Sequence, residues 1–81
     1  MYILKMKYVD NQGHKKSNRE LMRFVSLDRA IKMLNSMANE ELEIASGLTE
    51  RACLTVLEDG GIQVRTGKRS KRIFRLIEER S

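Results

Sequence analysis

The chain has 81 residues, enough for one domain over residues 1–81 and too few for two. It has no tryptophan, two phenylalanines and two tyrosines, so its core must be mainly aliphatic. One cysteine excludes an internal disulfide, and no apolar run approaches the roughly 18 residues that a membrane span needs. The first residues alternate with lysines and lack the apolar core of a signal peptide. We therefore expect a cytoplasmic protein without a membrane partner.

The net charge of +5 is unevenly distributed along the chain. Basic side chains outnumber acidic ones by six to two in residues 1–25 and by eight to four in residues 51–81. Residues 26–50, in contrast, carry two basic and five acidic side chains. Such segregation predicts one surface suited to a polyanionic partner and a separate acidic surface.

The first 25 residues predict a β-hairpin. Residues 2–9 alternate between two faces, as a strand does. One face carries Tyr2, Leu4, Met6 and Tyr8, and the other carries Ile3, Lys5, Lys7 and Val9. The polar residues 10–19 predict a long hairpin tip, and residues 20–25 predict a second strand.

At Ser26 the hydrophobic period changes from about 2 to about 3.6 residues, which predicts an amphipathic helix. Ser26 is a good N-cap residue, and Asp28 in the first turn favours the helix dipole. The apolar stripe consists of Leu27, Ala30, Ile31, Leu34, Met37 and Ala38. The pattern leaves two ends open, one at Asn39 and one at the capping residue Gly47.

Residues 51–66 predict a second hairpin. Two β-rich runs flank Asp59-Gly60, a pair typical of a type I′ turn. A helix capped by Thr49 is the alternative for this stretch.

Residues 71–80 fit a strand by their alternation and a short helix by the spacing of Ile73, Leu76 and Ile77. The strand is favoured because isoleucine and phenylalanine favour sheets. The fold class is therefore α+β: a single antiparallel sheet with one helix packed on a face, in the order ββαβββ, with ββαββα as the alternative.

No constellation in the sequence meets the needs of catalysis. His14 and Cys53 are the only soft metal ligands, and they lie in different segments, which argues against a metal site. We expect Cys53 to be buried, as free cysteines commonly are, and His14 to be a solvated loop residue. The glycines at positions 60, 61 and 67 match no phosphate-binding motif. The prediction is a protein that is not an enzyme and uses no metal or cofactor.

Two basic clusters carry the functional signal, because short runs of lysine and arginine attract phosphate backbones. The first lies at the predicted hairpin tip, where His14 and neighbouring cations are joined by Lys5 and Lys7. The second spans the last turn and includes Arg65 and Arg75. The residues predicted to contact nucleic acid are Lys15, Lys16, Arg19, Lys68, Arg69, Lys71 and Arg72. The expected partner is DNA, RNA or a nucleoprotein complex, contacted through its backbone more than through its bases.

The order of elements also resembles that of a known group of proteins. These features are a short strand from Met1, a charged turn, a strand leading into a Ser-Leu-capped helix (Phe24-Val25-Ser26-Leu27-Asp28-Arg29-Ala30) and a terminal meander. Together they resemble small phage-encoded anti-CRISPR proteins with a ββαβββ plan. The resemblance implies a phage protein in the bacterial host cytoplasm that occludes a host effector complex. Inhibitors that imitate DNA are acidic, whereas this chain is basic.

Two alternatives follow from other features of the sequence. A protein–protein inhibitor would use the acidic end of the helix, at Glu40, Glu41 and Glu43, with nearby apolar residues. A homodimer would bury an edge strand or an outer sheet face, which benefits a chain with so small a core.

Overall fold

A computed structural model describes the backbone of residues 1–80 and the side chains of residues 1–14 and 18–80. Over these residues the chain forms one antiparallel sheet of five strands and one helix, in the order ββαβββ, which confirms the predicted α+β fold. The strands are β1 (Tyr2–Val9), β2 (Lys15–Phe24), β3 (Cys53–Val56), β4 (Ile62–Arg65) and β5 (Lys71–Glu78), and the helix is α1 (Leu27–Ser46). The spatial order of the strands is β2-β1-β5-β4-β3. The last strand therefore lies beside the first, and β2 and β3 form the two edges.

The core lies between α1 and one face of the sheet. Leu4 and Val64 are fully buried, and Phe74 is 2% exposed. They pack with Met6, Leu34, Ala38 and Ile62 in one apolar cluster. Because successive strand residues point to opposite faces, the alternation predicted for β1 is confirmed: Leu4 and Met6 face the helix, and Lys5 and Lys7 face away.

The first hairpin has a shorter turn than the sequence predicts. The turn closes with Asp10 N–H donating to the carbonyl of His14 at 3.0 Å, and Gly13 takes a positive φ of 84°. The Asp10 carboxylate accepts the N–H groups of Gln12 and His14 at 3.0 and 2.9 Å. The predicted tip over residues 10–19 is therefore wrong beyond His14, because polar side chains are compatible with an edge strand exposed to solvent.

The second hairpin is confirmed, but its type I′ turn is wrong. Leu57 N–H donates to the Gly61 carbonyl at 2.7 Å, and Gly60 N–H donates to the Leu57 carbonyl at 3.0 Å. Only glycines have positive φ among the described residues, so Asp59 does not adopt the left-handed conformation that type I′ requires. The loop instead has three residues, with Gly60 at φ 85° completing the bulge.

The helix extends to the later of the two predicted ends. Of its predicted apolar stripe, Leu27 and Ile31 in the first two turns are exposed. Ser26 Oγ accepts the N–H of Arg29 at 3.4 Å, and Gly47 follows the last helical residue. Ala30, Leu34, Ala38 and Ala45 are buried. Small side chains at three of these four positions let the helix approach the sheet closely. Among the described residues, no helix combines the length and apolarity that a membrane crossing needs.

Residues 71–80 resolve the last ambiguity in favour of the strand, since β5 pairs with β1 on one side and β4 on the other. The alternative ββαββα is therefore wrong. Phe74 is buried on the helix side, and Ile73 is buried on the opposite face between its cross-strand neighbours Lys7 and Gln63.

Candidate nucleic-acid interface

One face of the sheet is left uncovered by the helix, and we call it the open face. It carries the side chains that alternate with the core residues of each strand. On the central strands these are Ile3, Lys5, Lys7 and Val9 of β1, Lys71, Ile73, Arg75 and Ile77 of β5, and Gln63 and Arg65 of β4. Asn18, Glu20 and Arg23 of β2 and Cys53 and Thr55 of β3 complete the face at the edges.

The strand registers arrange these side chains in rows across the sheet. One row runs through all five strands as Asn18, Lys7, Ile73, Gln63 and Thr55. The row on one side contains Val9, Lys71, Arg65 and Cys53, and the row on the other contains Glu20, Lys5 and Arg75. Basic side chains therefore occupy three consecutive rows, and uncharged side chains such as Ile73 and Gln63 lie between them.

Positive charge dominates the open face because most of its cations lack a carboxylate partner. Glu20 is the single acidic side chain among the described open-face strand residues, and it pairs with Arg23 at 2.9 Å. Arg23 also contacts Glu79 at 3.0 Å, and Arg75 pairs with Asp59 at 2.8 Å. No described carboxylate lies within ion-pair distance of Lys7 or Lys71.

The local pKa shifts follow from these pairs. The hydrogen bond from Arg23 lowers the pKa of Glu20 below its ordinary 4.5, and the same contact raises the pKa of Arg23. The Gly61 N–H and then Arg75 lower the pKa of Asp59 below 3.8. All three groups stay charged at neutral pH, so Arg23 and Arg75 are partly neutralised by neighbouring carboxylates. Lys5 also interacts with Glu20, which lies opposite it on β2, whereas Lys7 and Lys71 have no such neighbour among the described residues.

Two shallow depressions lie on the open face. The first has a volume of about 200 Å³ and is lined by Lys5, Lys7, Asn18, Ile73, Arg75 and Ile77. The second has a volume of about 450 Å³ and is lined by Cys53, Thr55, Gln63, Arg65, Arg69, Ser70 and Lys71. Because cations line both, a polyanion lying across β1, β5 and β4 would meet positive charge along its whole path.

The β4–β5 turn extends this surface at one end. Asn11 holds the turn, because its Oδ1 accepts the backbone N–H groups of Arg69 at 3.2 Å and Ser70 at 3.1 Å. Arg65 reaches across the same turn and donates to the Lys68 carbonyl at 2.8 Å. The exposed side chains of Lys68 and Arg69 are thereby presented from a turn with a fixed backbone.

The structure brings together three of the seven residues predicted from the sequence. Lys68, Arg69 and Lys71 share the end of the sheet formed by the β4–β5 turn. Arg19 and Arg72 do not join them: Arg19 pairs with Met6 and Arg72 with Val64, so both lie on the helix side of the sheet. The side chains of Lys15 and Lys16 lie outside the described residues.

Arg72 is engaged within the fold. Its Nε contacts Glu41 at 3.3 Å, and its guanidinium lies 5.1 Å from the centre of the Tyr8 ring. The contact with Glu41 attaches the last third of α1 to the sheet, and the contact with Tyr8 joins β5 to β1. This also places the acidic helix end: Glu41 faces Arg72, whereas Glu40 and Glu43 are exposed.

The two residues considered for chemistry lie apart from each other. Cys53 is exposed at the start of β3, so the expectation that it is buried is wrong, because an edge strand leaves its outer face to solvent. His14 is exposed at the first hairpin turn, as predicted. Among the described residues, no group of three histidine, cysteine or acidic side chains is placed to hold a metal ion.

Sequence reasoning gave Lys5 and Lys7 only a supporting role at the first hairpin tip. The structure groups them with Arg65, Lys71 and Arg75, because β5 lies beside β1 and completes their rows. The alternation of lysine with core residues in β1 was the available signal. The missing information was the neighbour of β1, which a local pattern does not give.

Comparisons with protein-family models, with curated proteins and with solved structures give no match to this chain.

Proposed function

We propose that this protein is a non-enzymatic binding protein that contacts the phosphate backbone of a nucleic acid through its open face. The observation that carries the proposal is the set of cations in consecutive rows, of which Lys7 and Lys71 have no carboxylate partner within the described residues. The proposed contacts are Lys5, Lys7, Arg65, Lys68, Arg69 and Lys71. Cations placed in this way bind phosphates with the release of condensed counterions.

The positions of the aromatic residues indicate how the open face would contact a nucleic acid. Tyr2, Tyr8, Phe24 and Phe74 all point to the helix side of the sheet, so none is placed to stack on a base from the open face. Affinity would then come from phosphate contacts, which carry little sequence information. Binding is expected to be strongly salt-dependent and weakly dependent on sequence.

The alternative is a protein–protein inhibitor of the kind that the anti-CRISPR resemblance implies. A specific feature favours it: Arg19, Met37, Glu40 and Glu41 line a depression of about 170 Å³ between β2 and the end of α1. That side carries mixed charge and an apolar floor, which suits a protein partner better than a polyanion. Binding to a nucleoprotein complex would use both sides of the molecule.

The proposal is tested by binding of nuclease-treated protein to labelled DNA and RNA oligonucleotides over a range of salt concentrations. The variant is K5Q/K7Q/K71Q, in which glutamine keeps a polar side chain and removes three charges. The matched control is R19Q/R29Q/K32Q, which removes three charges from the helix side. Each phosphate contact adds about 0.7 to 0.9 to the slope of log affinity against log salt. The open-face variant, which removes three charges, should therefore lower the slope by about 2 to 3 and weaken binding, and the control should change neither.

Equal losses in the two variants would mean that net charge alone drives binding, and the open-face assignment would be withdrawn. Absence of binding by the wild-type protein at low salt would remove the nucleic-acid proposal and leave the protein–protein alternative. In both cases circular dichroism must show that the variants are folded.

A further inference from the structure

We propose that two copies of this chain pair through their β3 edges, in antiparallel orientation, to form one continuous sheet. The proposal does not rest on nucleic-acid binding, and its tests measure association of the protein alone.

The two edges of the sheet differ in their protection. The β2 edge has two irregularities in its pairing with β1 and carries Arg19, Glu20 and Arg23, features that discourage pairing with another chain. The β3 edge consists of Cys53-Leu54-Thr55-Val56, with no charge, no proline and an uninterrupted register with β4. Its shortness is the only common protective feature that it has.

The hydrogen-bonding pattern shows which backbone groups of β3 are available. Leu57 N–H donates to the Gly61 carbonyl, so this pair is of the hydrogen-bonded type. Hydrogen-bonded and non-hydrogen-bonded pairs alternate along an antiparallel ladder. Thr55 therefore bonds with Gln63, and the N–H and C=O groups of Leu54 and Val56 point away from the sheet. These four groups are the bonding edge that a second copy can complete.

One register between two copies forms backbone hydrogen bonds, brings apolar side chains into contact and places opposite charges near each other. If Thr55 lies opposite the partner's Thr55, Leu54 lies opposite the partner's Val56, and both pairs donate and accept across the junction. Leu54 and Val56 then meet on the helix side of the joined sheet. Arg51 precedes the strand and Glu58 follows it, so antiparallel pairing brings opposite charges close at both ends. This self-complementarity selects a second copy as the occupant.

Exposed apolar side chains at the β3 edge also favour pairing with a second copy of the chain. Val56 is 68% exposed, and Leu27 and Ile31 beside it are 45% and 41% exposed. The three residues line one depression of about 330 Å³ at the N-terminal end of α1. The partner's Leu54 would lie against Val56 and cover part of this apolar surface, which adds hydrophobic burial to the backbone hydrogen bonds.

Antiparallel pairing in a continuous sheet keeps both open faces on the same side. The pair would therefore present one extended basic surface, with the Thr55 residues at its centre and the cations of β4, β5 and β1 on either side. If the open face binds nucleic acid, dimerisation would double the length of the binding site, because the same cations of both copies would lie on one surface.

Disulfide trapping tests the register. In the C53S/T55C variant the new cysteines would lie opposite each other in a non-hydrogen-bonded pair, with Cα atoms about 4.5 Å apart, which suits a disulfide. The matched control is C53S/N18C, because Asn18 is an exposed open-face residue on the other edge. Under mild oxidation we expect a covalent dimer of C53S/T55C and a monomer of C53S/N18C. Equal cross-linking of the two variants, or none of either, would overturn the proposal.

Sedimentation tests whether the pairing exists without a cross-link. The wild-type protein is expected to show a concentration-dependent dimer at tens to hundreds of micromolar. Val56→Pro removes an outward N–H that the single chain does not use, so it should leave a folded monomer. Val56→Thr keeps the N–H and should retain most of the dimer. A wild-type protein that stays monomeric at the highest concentration, or a V56P variant that still dimerises, would contradict the proposal.

Discussion

Asn11 fixes the backbone of the β4–β5 turn, which carries the basic side chains at one end of the open face. Its Oδ1 accepts two backbone N–H groups from the β4–β5 turn, and Gly67 passes so close that a Cβ there would lie 2.9 Å from the same oxygen. Asn11→Ala leaves both N–H groups without that acceptor. We expect a loss of about 1 to 2 kcal/mol in the free energy of unfolding, measured by urea denaturation. Gln12→Ala, in the same turn, should have little effect, and an equally stable N11A variant would contradict this role.

Asp59 gives the molecule a defined acid sensitivity. Its pKa is lowered in the folded state, first by the Gly61 N–H at 2.9 Å and then by Arg75 at 2.8 Å. A carboxylate of this kind stabilises the fold above its ordinary pKa of 3.8. That contribution is lost as the pH falls through the lower pKa of the folded state.

Asp59→Asn should therefore be less stable than the wild type at neutral pH, and the difference should shrink as the pH falls below 3.8. The measurement is the free energy of unfolding in urea at several pH values. A difference that stays constant over this range would show that the charge of Asp59 is not responsible.

Single residues also show where sequence patterns are ambiguous. Lys71 and Arg72 are adjacent in a basic run, and both were predicted to contact nucleic acid. In a strand they point to opposite faces, so Lys71 faces solvent with Arg65 and Arg72 contacts Glu41 and Tyr8. A charge run on a strand therefore divides between two surfaces, and only the register shows which cations act together.

At the scale of elements, α1 and β1 are the parts that the sequence predicts best, because each directs apolar residues to the core in a pattern that repeats over several turns or residue pairs. β2 is predicted less well. Its polar residues resemble a loop, but a strand at an edge needs little burial on its outer face. The turns depend on backbone bonds, such as those that Asp10 and Leu57 form, and composition does not specify them.

The β3–β4 hairpin allows a direct comparison of a buried and an exposed valine. Val64 of β4 is fully buried and Val56 of β3 is 68% exposed, and both point to the helix side. Val64→Ala removes two methyl groups from the core and should lower the free energy of unfolding by about 2 kcal/mol. Val56→Ala should change it by about 0.5 kcal/mol or less at dilute concentration. Similar losses in urea denaturation of the two variants would contradict the assigned core.

For the whole molecule, the two sides of the sheet have different electrostatic character. The open face carries lysines and arginines with one described strand carboxylate, whereas Glu40, Glu41 and Glu43 lie on the helix side. The segregation seen along the chain is preserved only in part, because Arg19 and Arg72 of the basic segments lie on the helix side. Its basic part was predictable from composition, but the contribution of Lys5 and Lys7 depends on the pairing of β1 with β5, which are distant in sequence.

The lack of rings on the open face predicts a preference between nucleic acids. Binding to single strands gains much of its free energy from stacking on aromatic side chains. A duplex offers a higher density of phosphates, about one charge per 1.7 Å of its axis. We expect duplexes to bind several-fold more tightly than single strands of the same length, in competition at equal salt. Tighter binding of the single strand would show that the contact is not made through phosphates alone.

The most direct test of the central claim is to map the bound surface by backbone and side-chain NMR shifts during titration with a short duplex. The account predicts salt-sensitive shifts of Lys5, Lys7, Arg65 and Lys71 and of the β4–β5 turn, with little change in α1. Shifts concentrated on α1 or around Arg72, or no shifts at low salt, would contradict it.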